Sequence, residues 1–371
     1  MPSRRRSRRK RRQAVFASLL VFLVVVAFGI GSCLKQIADG QNAGQDPFAA
    51  QAIDVSPDPP QAESPTPPEQ EVSSKPEEPV PPPPYPTQTA GTAAFDDTLN
   101  AAEAVLLDVQ DNTVLAQRGA DARIYPASLT KIMTVLVAAE HIDNMDDTFT
   151  MTYDILAPLY EADATQAGFS EDEQVSMRDL FYGAVLPSGA DAAVALAEVV
   201  SGSETSFVTL MNKKAQELGL KDTHFVNVSG LHDGNHYSTV TDLAVILEAA
   251  MENPLCKELL STYQYTTAPT PQHPEGILLT STMFSRMYGT EVEGVTITSG
   301  KTGYTDEAMH CLASFAVNNA DGRTYIAVTT GGSARYQPIY DSFKIFGNYL
   351  KPASPAETTV AQTTAVETSA G

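Results

Sequence analysis

Fourteen of the 25 prolines fall between Pro47 and Pro86, ending in Pro81-Pro82-Pro83-Pro84-Tyr85-Pro86. A stretch this rich in proline, acidic and poor in large apolar residues, cannot bury enough surface to fold. Residues 35–94 therefore read as a disordered linker, and the folded body is confined to residues C-terminal to it. Ahead of the linker, residues 13–34 carry no charge over 22 positions, a length that spans a bilayer. Residues 1–12 hold eight Arg and Lys, the flank that stays on the cytoplasmic side. The expected arrangement is a single-pass transmembrane anchor in the cytoplasmic membrane with the remaining chain outside the cell. Lipidation at Cys33, in Ile30-Gly31-Ser32-Cys33, is the second reading, and simple secretion is the third.

Charge then excludes a class of partner. Beyond residue 12 the chain has 16 basic residues against 45 acidic ones. Such a body does not seek nucleic acid. With three cysteines, Cys33, Cys256 and Cys311, this is no disulfide scaffold. Cys256 and Cys311 read as two buried free thiols, with a bridge between them as the alternative.

The folded body is expected over residues 95–350, with a disordered Thr/Ala-rich tail at 351–371. Residues 103–109 and 113–117 flank Gln110-Asp111-Asn112 and read as a strand hairpin. A helix should begin near Ser128 and end near His141. Helices are also expected over 177–186, 191–198, 206–218 and 241–251, the last capped by Thr239 or Thr241. A short strand is expected at 263–267. Strands at 292–299, 310–318 and 324–330 then precede a helix at 340–350. Strands at both ends with helices between imply one sheet built from the two ends and a helical lobe inserted between them. A cleft between lobe and sheet is where a site belongs.

The apolar helix after Pro126 opens with Ser128-Leu129-Thr130-Lys131. Residues three apart share a helix face, so the Lys131 amine can reach the Ser128 hydroxyl. A desolvated lysine can take a serine proton and make a nucleophile of it. Alone the tetrad says little. Ser188-Gly189-Ala190 and Lys301-Thr302-Gly303 come after it in order.

This set resembles that of the penicillin-recognising serine enzymes. Within them the chain is similar to the low-molecular-mass D-alanyl-D-alanine carboxypeptidases. The narrower likeness is carried by Tyr125-Pro126-Ala127-Ser128-Leu129-Thr130-Lys131, Phe225-Val226-Asn227-Val228-Ser229-Gly230-Leu231, His236-Tyr237-Ser238-Thr239-Val240-Thr241-Asp242-Leu243-Ala244 and Gly300-Lys301-Thr302-Gly303-Tyr304-Thr305-Asp306-Glu307-Ala308. The resemblance implies an α+β, β-lactamase/transpeptidase-like fold: an antiparallel sheet flanked by helices, with an inserted helical lobe. It implies a serine D,D-carboxypeptidase acting on peptidoglycan stem peptides outside the membrane. β-Lactam antibiotics would be covalent inhibitors. No cofactor is implied.

By the same resemblance Ser128 attacks the carbonyl between two terminal D-alanines, Lys131 accepts its proton, and Ser188 relays a proton to the leaving amine. Lys301 adds positive charge, Thr302 binds the substrate carboxylate, and Gly303 lets substrate approach the strand. The N–H groups of Ser128 and Tyr304 form the oxyanion hole. Arg335, before the last helix, is a candidate to assist with the carboxylate, or else an ordinary surface arginine. One position departs from the family: its second-motif asparagine is Ala190 here, which offers no side-chain hydrogen bond. The alternative function is therefore an impaired peptidoglycan-binding homologue. A β-lactamase is disfavoured because no deacylating Glu-x-x-x-Asn segment precedes the third motif. The family's additional C-terminal β-rich domain is not expected after residue 350.

His232 and His236 are four apart, but Asp233-Gly234-Asn235 between them is turn-like, so a metal site there is not expected. Asp146-Asp147 and Glu171-Asp172-Glu173 read as solvated loops.

Overall fold

The computed structural model describes residues 81–287 and 292–350. The expected anchor at 13–34, Cys33, the tail at 351–371 and most of the linker lie outside the described residues. The expected hairpin forms from β2 (Glu103–Asp108) and β3 (Thr113–Arg118). At the other end of the body β8 (Val295–Thr305), β9 (Met309–Asn318) and β10 (Thr324–Gly332) form a meander. Both ends share one six-stranded sheet in the order β1-β3-β2-β10-β9-β8. Every pairing is antiparallel except that of β1 (Thr87–Ala94) with β3.

β1 corrects the expected boundary, since its residues belong to the segment read as linker. Thr87–Ala94 carries no large apolar side chain because it is an edge strand lying mostly in solvent. Its anchorage comes from the backbone ladder. The preceding turn is tied down as well. Tyr85 donates its hydroxyl to Asp242 at 2.7 Å, and Asn112 donates to the Pro84 carbonyl at 2.7 Å.

Strand periodicity divides the apolar side chains between two faces. Val105 and Leu107 of β2, with Ile326 and Val328 of β10, face the larger core. Leu106, Tyr325 and Ala327 face a smaller one, covered by Ile345 and Phe346 of α8 (Gln337–Tyr349). Against the larger face stands the helical lobe. Its centre is α1 (Thr130–Ala139), buried from Thr130 to Ala138, and α6 (Val240–Glu252), capped by the Thr239 hydroxyl. A helix apolar on nearly every side is stable only inside such a layer. Around these lie α3 (Met177–Val185), α4 (Ala190–Ser201) and α5 (Glu204–Glu217).

Two further helices carry weaker sequence signals and lie outside the expected set. They are α2 (Tyr153–Glu161), which accommodates Pro158, and α7 (Pro254–Ser261), which starts on its proline under an Asn253 cap. The strand expected at 263–267 is β6 (Gln264–Thr266), paired with β7 (Leu278–Thr280) in a separate ribbon. A second ribbon joins β4 (Thr148–Thr150) and β5 (Gln174–Ser176). Glu173, expected in a solvated loop, is buried. It accepts hydrogen bonds from the Ser170 N–H, Thr270 Oγ1 and His273 Nδ1 at 2.6–3.0 Å. Burial alone would raise its pKa; those bonds outweigh it and hold the carboxyl below its usual range. Cys256 and Cys311 are free, buried thiols, each pushed up to about 12 by burial.

Candidate active site

The first motif sits on a backbone break. Ala127–Leu129 forms a 3-10 turn that leads directly into α1, so Ser128 stands at the helix entrance and Lys131 one turn on. Lys131 is 2 % exposed, and its Nζ lies 3.2 Å from Ser128 Oγ and 2.7 Å from the Ser229 carbonyl. Burial lowers its pKa to about 7, against an opposing pull from the Asp191 carboxylate. A large share of the amine is therefore neutral near pH 7. A neutral amine that gives one N–H to Ser229 keeps its lone pair for the serine proton.

The second motif lies in the turn between α3 and α4. Ser188 has φ +73°, a left-handed conformation that costs a non-glycine residue about 1–2 kcal/mol. Glycine would hold this turn without strain, so the hydroxyl carries the reason for a serine here. Lys301 donates to it at 2.8 Å and to the Thr302 carbonyl at 2.9 Å. Ala190 opens α4 and is buried, its N–H donating to the Thr165 carbonyl at 2.8 Å. Next to it the buried Asp191 carboxylate accepts from the N–H of Ala167 at 2.7 Å and of Gly168 at 3.1 Å. The 165–168 segment is thereby held beside Ser188. Burial pushes the Asp191 pKa up, opposed by these backbone donors.

The third motif lies within β8 rather than after it, on the edge strand of the sheet. A Cβ on Gly303 would stand 3.1 Å from the Ser128 backbone nitrogen, so this strand abuts the nucleophile turn. A Cβ there would be tighter than ordinary contact, so a larger residue would press the turn away by a few tenths of an ångström. Thr302 Oγ1 pairs with Thr282 Oγ1 at 2.7 Å. Tyr304, the next residue, is 53 % exposed; its hydroxyl donates to Asp306 at 2.7 Å and its ring tilts over His310.

The cleft gathers basic side chains although the body is acidic. Burial holds the Lys301 amine well below the lysine range, and Lys131 and Arg286 push it the same way. Arg286 is half-buried, with no partner for its Nε among the described residues. Its pKa is lowered by burial first and then by Arg335. Arg335 is exposed, and it joins Arg286 in depressing the pKa of His310, after burial. The structure thus gathers Ser128, Lys131, Ser188, Lys301, Thr302 and Gly303; exposed Tyr304 follows on the same strand, and exposed Arg335 lies within electrostatic reach of Arg286. Sequence reading missed Thr282, Arg286, Asp191 and the Ser229 carbonyl. Of these only Asp191, beside the second motif, left a usable signal.

A serine at a helix entrance, a buried lysine poised to take its proton and a second serine–lysine pair opposite are what lysine-activated serine acyl transfer requires. Comparison with known proteins places that chemistry. The chain belongs to the D-alanyl-D-alanine carboxypeptidase family, whose model matches residues 88–334. It is 34 % identical over 235 residues to the D-alanyl-D-alanine carboxypeptidase DacF of Bacillus subtilis, covering 63 % of this chain and 58 % of that one. A Streptomyces D-alanyl-D-alanine carboxypeptidase is 31 % identical, with 70 % and 90 % covered. Among solved structures, a Streptomyces DD-transpeptidase superposes with a TM-score of 0.61 at 31 % identity, over 69 % of this chain and 98 % of that one. Penicillin binding protein 5 of Haemophilus influenzae superposes with a TM-score of 0.60 at 28 % identity, over 68 % and 71 %. The chain spans just under three fifths of the length of DacF and of the DacD carboxypeptidase of Escherichia coli.

Proposed function

We propose that this protein is a serine D,D-carboxypeptidase that removes the terminal D-alanine from peptidoglycan stem peptides. The observation that carries the reading is the buried Lys131 amine, lowered to about 7 and 3.2 Å from Ser128 Oγ. The stem peptide enters extended along the open edge of β8, in the manner of an added strand. Its terminal carboxylate meets Thr302 and the positive charge of Lys301, Arg286 and Arg335. Lys131 takes the Ser128 proton as Oγ bonds to the penultimate D-alanine carbonyl carbon. The backbone N–H groups of Ser128 and Tyr304 hold the oxyanion, a donor of this kind being worth about 3 kcal/mol of barrier. When the C–N bond breaks, the proton Lys131 took passes through Ser188, which Lys301 contacts at 2.8 Å, to the departing amine. Water then releases the shortened peptide and returns the proton to Ser128. β-Lactams, entering the same site, acylate the same oxygen.

The charge-free run at 13–34 supports a membrane anchor with the catalytic body on the cell-wall side, spaced by the proline-rich segment. Among the described residues no helix is long and apolar enough to cross a membrane. Release of D-alanine from a Lys-D-Ala-D-Ala peptide tests the reading. Turnover that Ser128→Ala abolishes is expected; turnover that survives this substitution would refute it.

A further inference from the structure

The Ser229 carbonyl directs the Lys131 amine, and the loop that supplies it is tied to α1 by a side chain outside the reacting set. His236 is 2 % exposed. Its Nδ1 accepts the Val226 backbone N–H at 3.2 Å, and its Nε2 lies 2.8 Å from Thr130 Oγ1. A backbone N–H only donates, so Nδ1 carries no hydrogen. The ring is therefore the neutral Nε2–H tautomer, and it donates to Thr130. Thr130 is fully buried in the chain between Ser128 and Lys131.

The rest of the loop runs along the same helix. Thr134 Oγ1 donates to the Val228 carbonyl at 2.7 Å, and Asn227 Oδ1 gathers the N–H groups of Ser229 and Gly230 at 3.2 and 2.7 Å. Gly230 has φ +79° and lies so close to the Ala127 carbonyl that a Cβ there would stand 1.8 Å from its oxygen. Residues 226–230 are thus laid along α1 at Thr130, Lys131 and Thr134. Of these three, the Thr130 link alone depends on a residue beyond the loop.

We propose that His236 is a positioning residue for the Ser128-to-Lys131 proton transfer. Through Thr130 it holds the 226–230 loop in the register where the Ser229 carbonyl takes one Lys131 N–H and leaves the lone pair facing Ser128. The inference rests on the reading of Ser128 and Lys131 as nucleophile and base. Protonation of His236 would place a second hydrogen against the Val226 N–H and break the link. Burial keeps the ring neutral, lowering its pKa to about 4. The charge of Asp233 opposes that shift, and His224, His232 and Lys131 reinforce it. The link therefore stays intact over the range in which Lys131 titrates, and its removal shows in the titration of Lys131.

The test uses the full chain and a fluorescent penicillin, with second-order acylation rates measured from about pH 5 to pH 10 and normalised to the sites that titrate. His236→Phe and Thr130→Val cut the link from its two sides, the latter at nearly constant volume. His236→Gln keeps one acceptor and one donor. A small misplacement at a reacting pair costs about tenfold to a hundredfold, so both cutting variants should be slowed by that factor. Their alkaline-rising limb should be displaced from that of wild type, stem-peptide affinity should be unchanged, and His236→Gln should recover most of the rate. A folded Thr130→Val or His236→Phe that acylates at the wild-type rate and pH dependence overturns the proposal. So does a loss confined to affinity or to the number of titratable sites. If His236→Phe does not fold, Thr130→Val decides alone. Absence of wild-type acylation at Ser128 would instead sink the nucleophile assignment beneath it.

Discussion

Lys301 Nζ donates to Ser188 Oγ at 2.8 Å, and among the described residues no carboxylate stands within ion-pair distance of either lysine in the cleft. A buried amine without an anion is held toward its neutral form. In the proposed mechanism the substrate carboxylate supplies the anion.

Binding of a carboxylate ligand should therefore raise the Lys301 pKa and draw a proton from solvent. Calorimetry of a D-Ala-D-Ala peptide binding to Ser128→Ala, in buffers of different ionisation enthalpy, should show net proton uptake. Lys301→Met should reduce that uptake. Uptake unchanged in Lys301→Met would place the proton elsewhere.

Lys131 sets activity against stability. Its folded pKa of about 7 lies below the unfolded value of 10.5. Between these values the unfolded chain binds more protons, so the contribution to stability rises with pH across the window. Below pH 7 the full cost of burying the charge is present. Lys131→Met should raise the unfolding free energy at pH 7 by about 1–2 kcal/mol while nearly abolishing acylation. Denaturant titration and penicillin labelling measure the two. A destabilised Lys131→Met would mean that the amine contributes more through its bonds to Ser128 and Ser229 than its desolvation costs.

The same value fixes the pH profile. With Lys131 as the proposed base, only its neutral form accepts the Ser128 proton, so acylation by penicillin should rise as pH increases through about 7 and then level. A rate that falls over this interval would require the charged amine in the step.

The residues behind these expectations are unequally visible in the sequence. Ser128 and Lys131 are three apart on one helix, so their contact comes from helical spacing alone. Ser188 and Lys301 are 113 residues apart, and nothing local pairs them. That pairing was legible only through the order of the motifs and their resemblance to a known set. The Ser229 carbonyl is invisible to composition, because every residue has one. Arg286 enters through a 3-10 turn whose placement depends on tertiary packing. β1 escaped because an exposed edge strand needs no apolar alternation. Glu173 was misplaced because a run of acidic residues looks solvated until Thr270 and His273, about a hundred residues on, are brought to it.

Ala190 offers a gain of function. The Lys131 amine has two contacts, Ser128 and Ser229, while Ala190, opening α4 beside Ser188, has no side-chain hydrogen bond to offer. Ala190→Asn should increase D-alanine release from a Lys-D-Ala-D-Ala peptide by about tenfold, the worth of one hydrogen bond to a strongly polar group. Unchanged or reduced release from a folded Ala190→Asn would mean that the site is built around alanine.

In the proposed mechanism every other role in the cleft depends on Ser128 acting as the nucleophile, activated by Lys131. Intact-mass measurement after incubation with a penicillin, combined with peptide mapping, tests that assignment most directly. One added drug molecule per chain, located on Ser128 and absent from Ser128→Ala, is the expected result. An adduct on any other residue, or one that forms equally on Ser128→Ala, would contradict it.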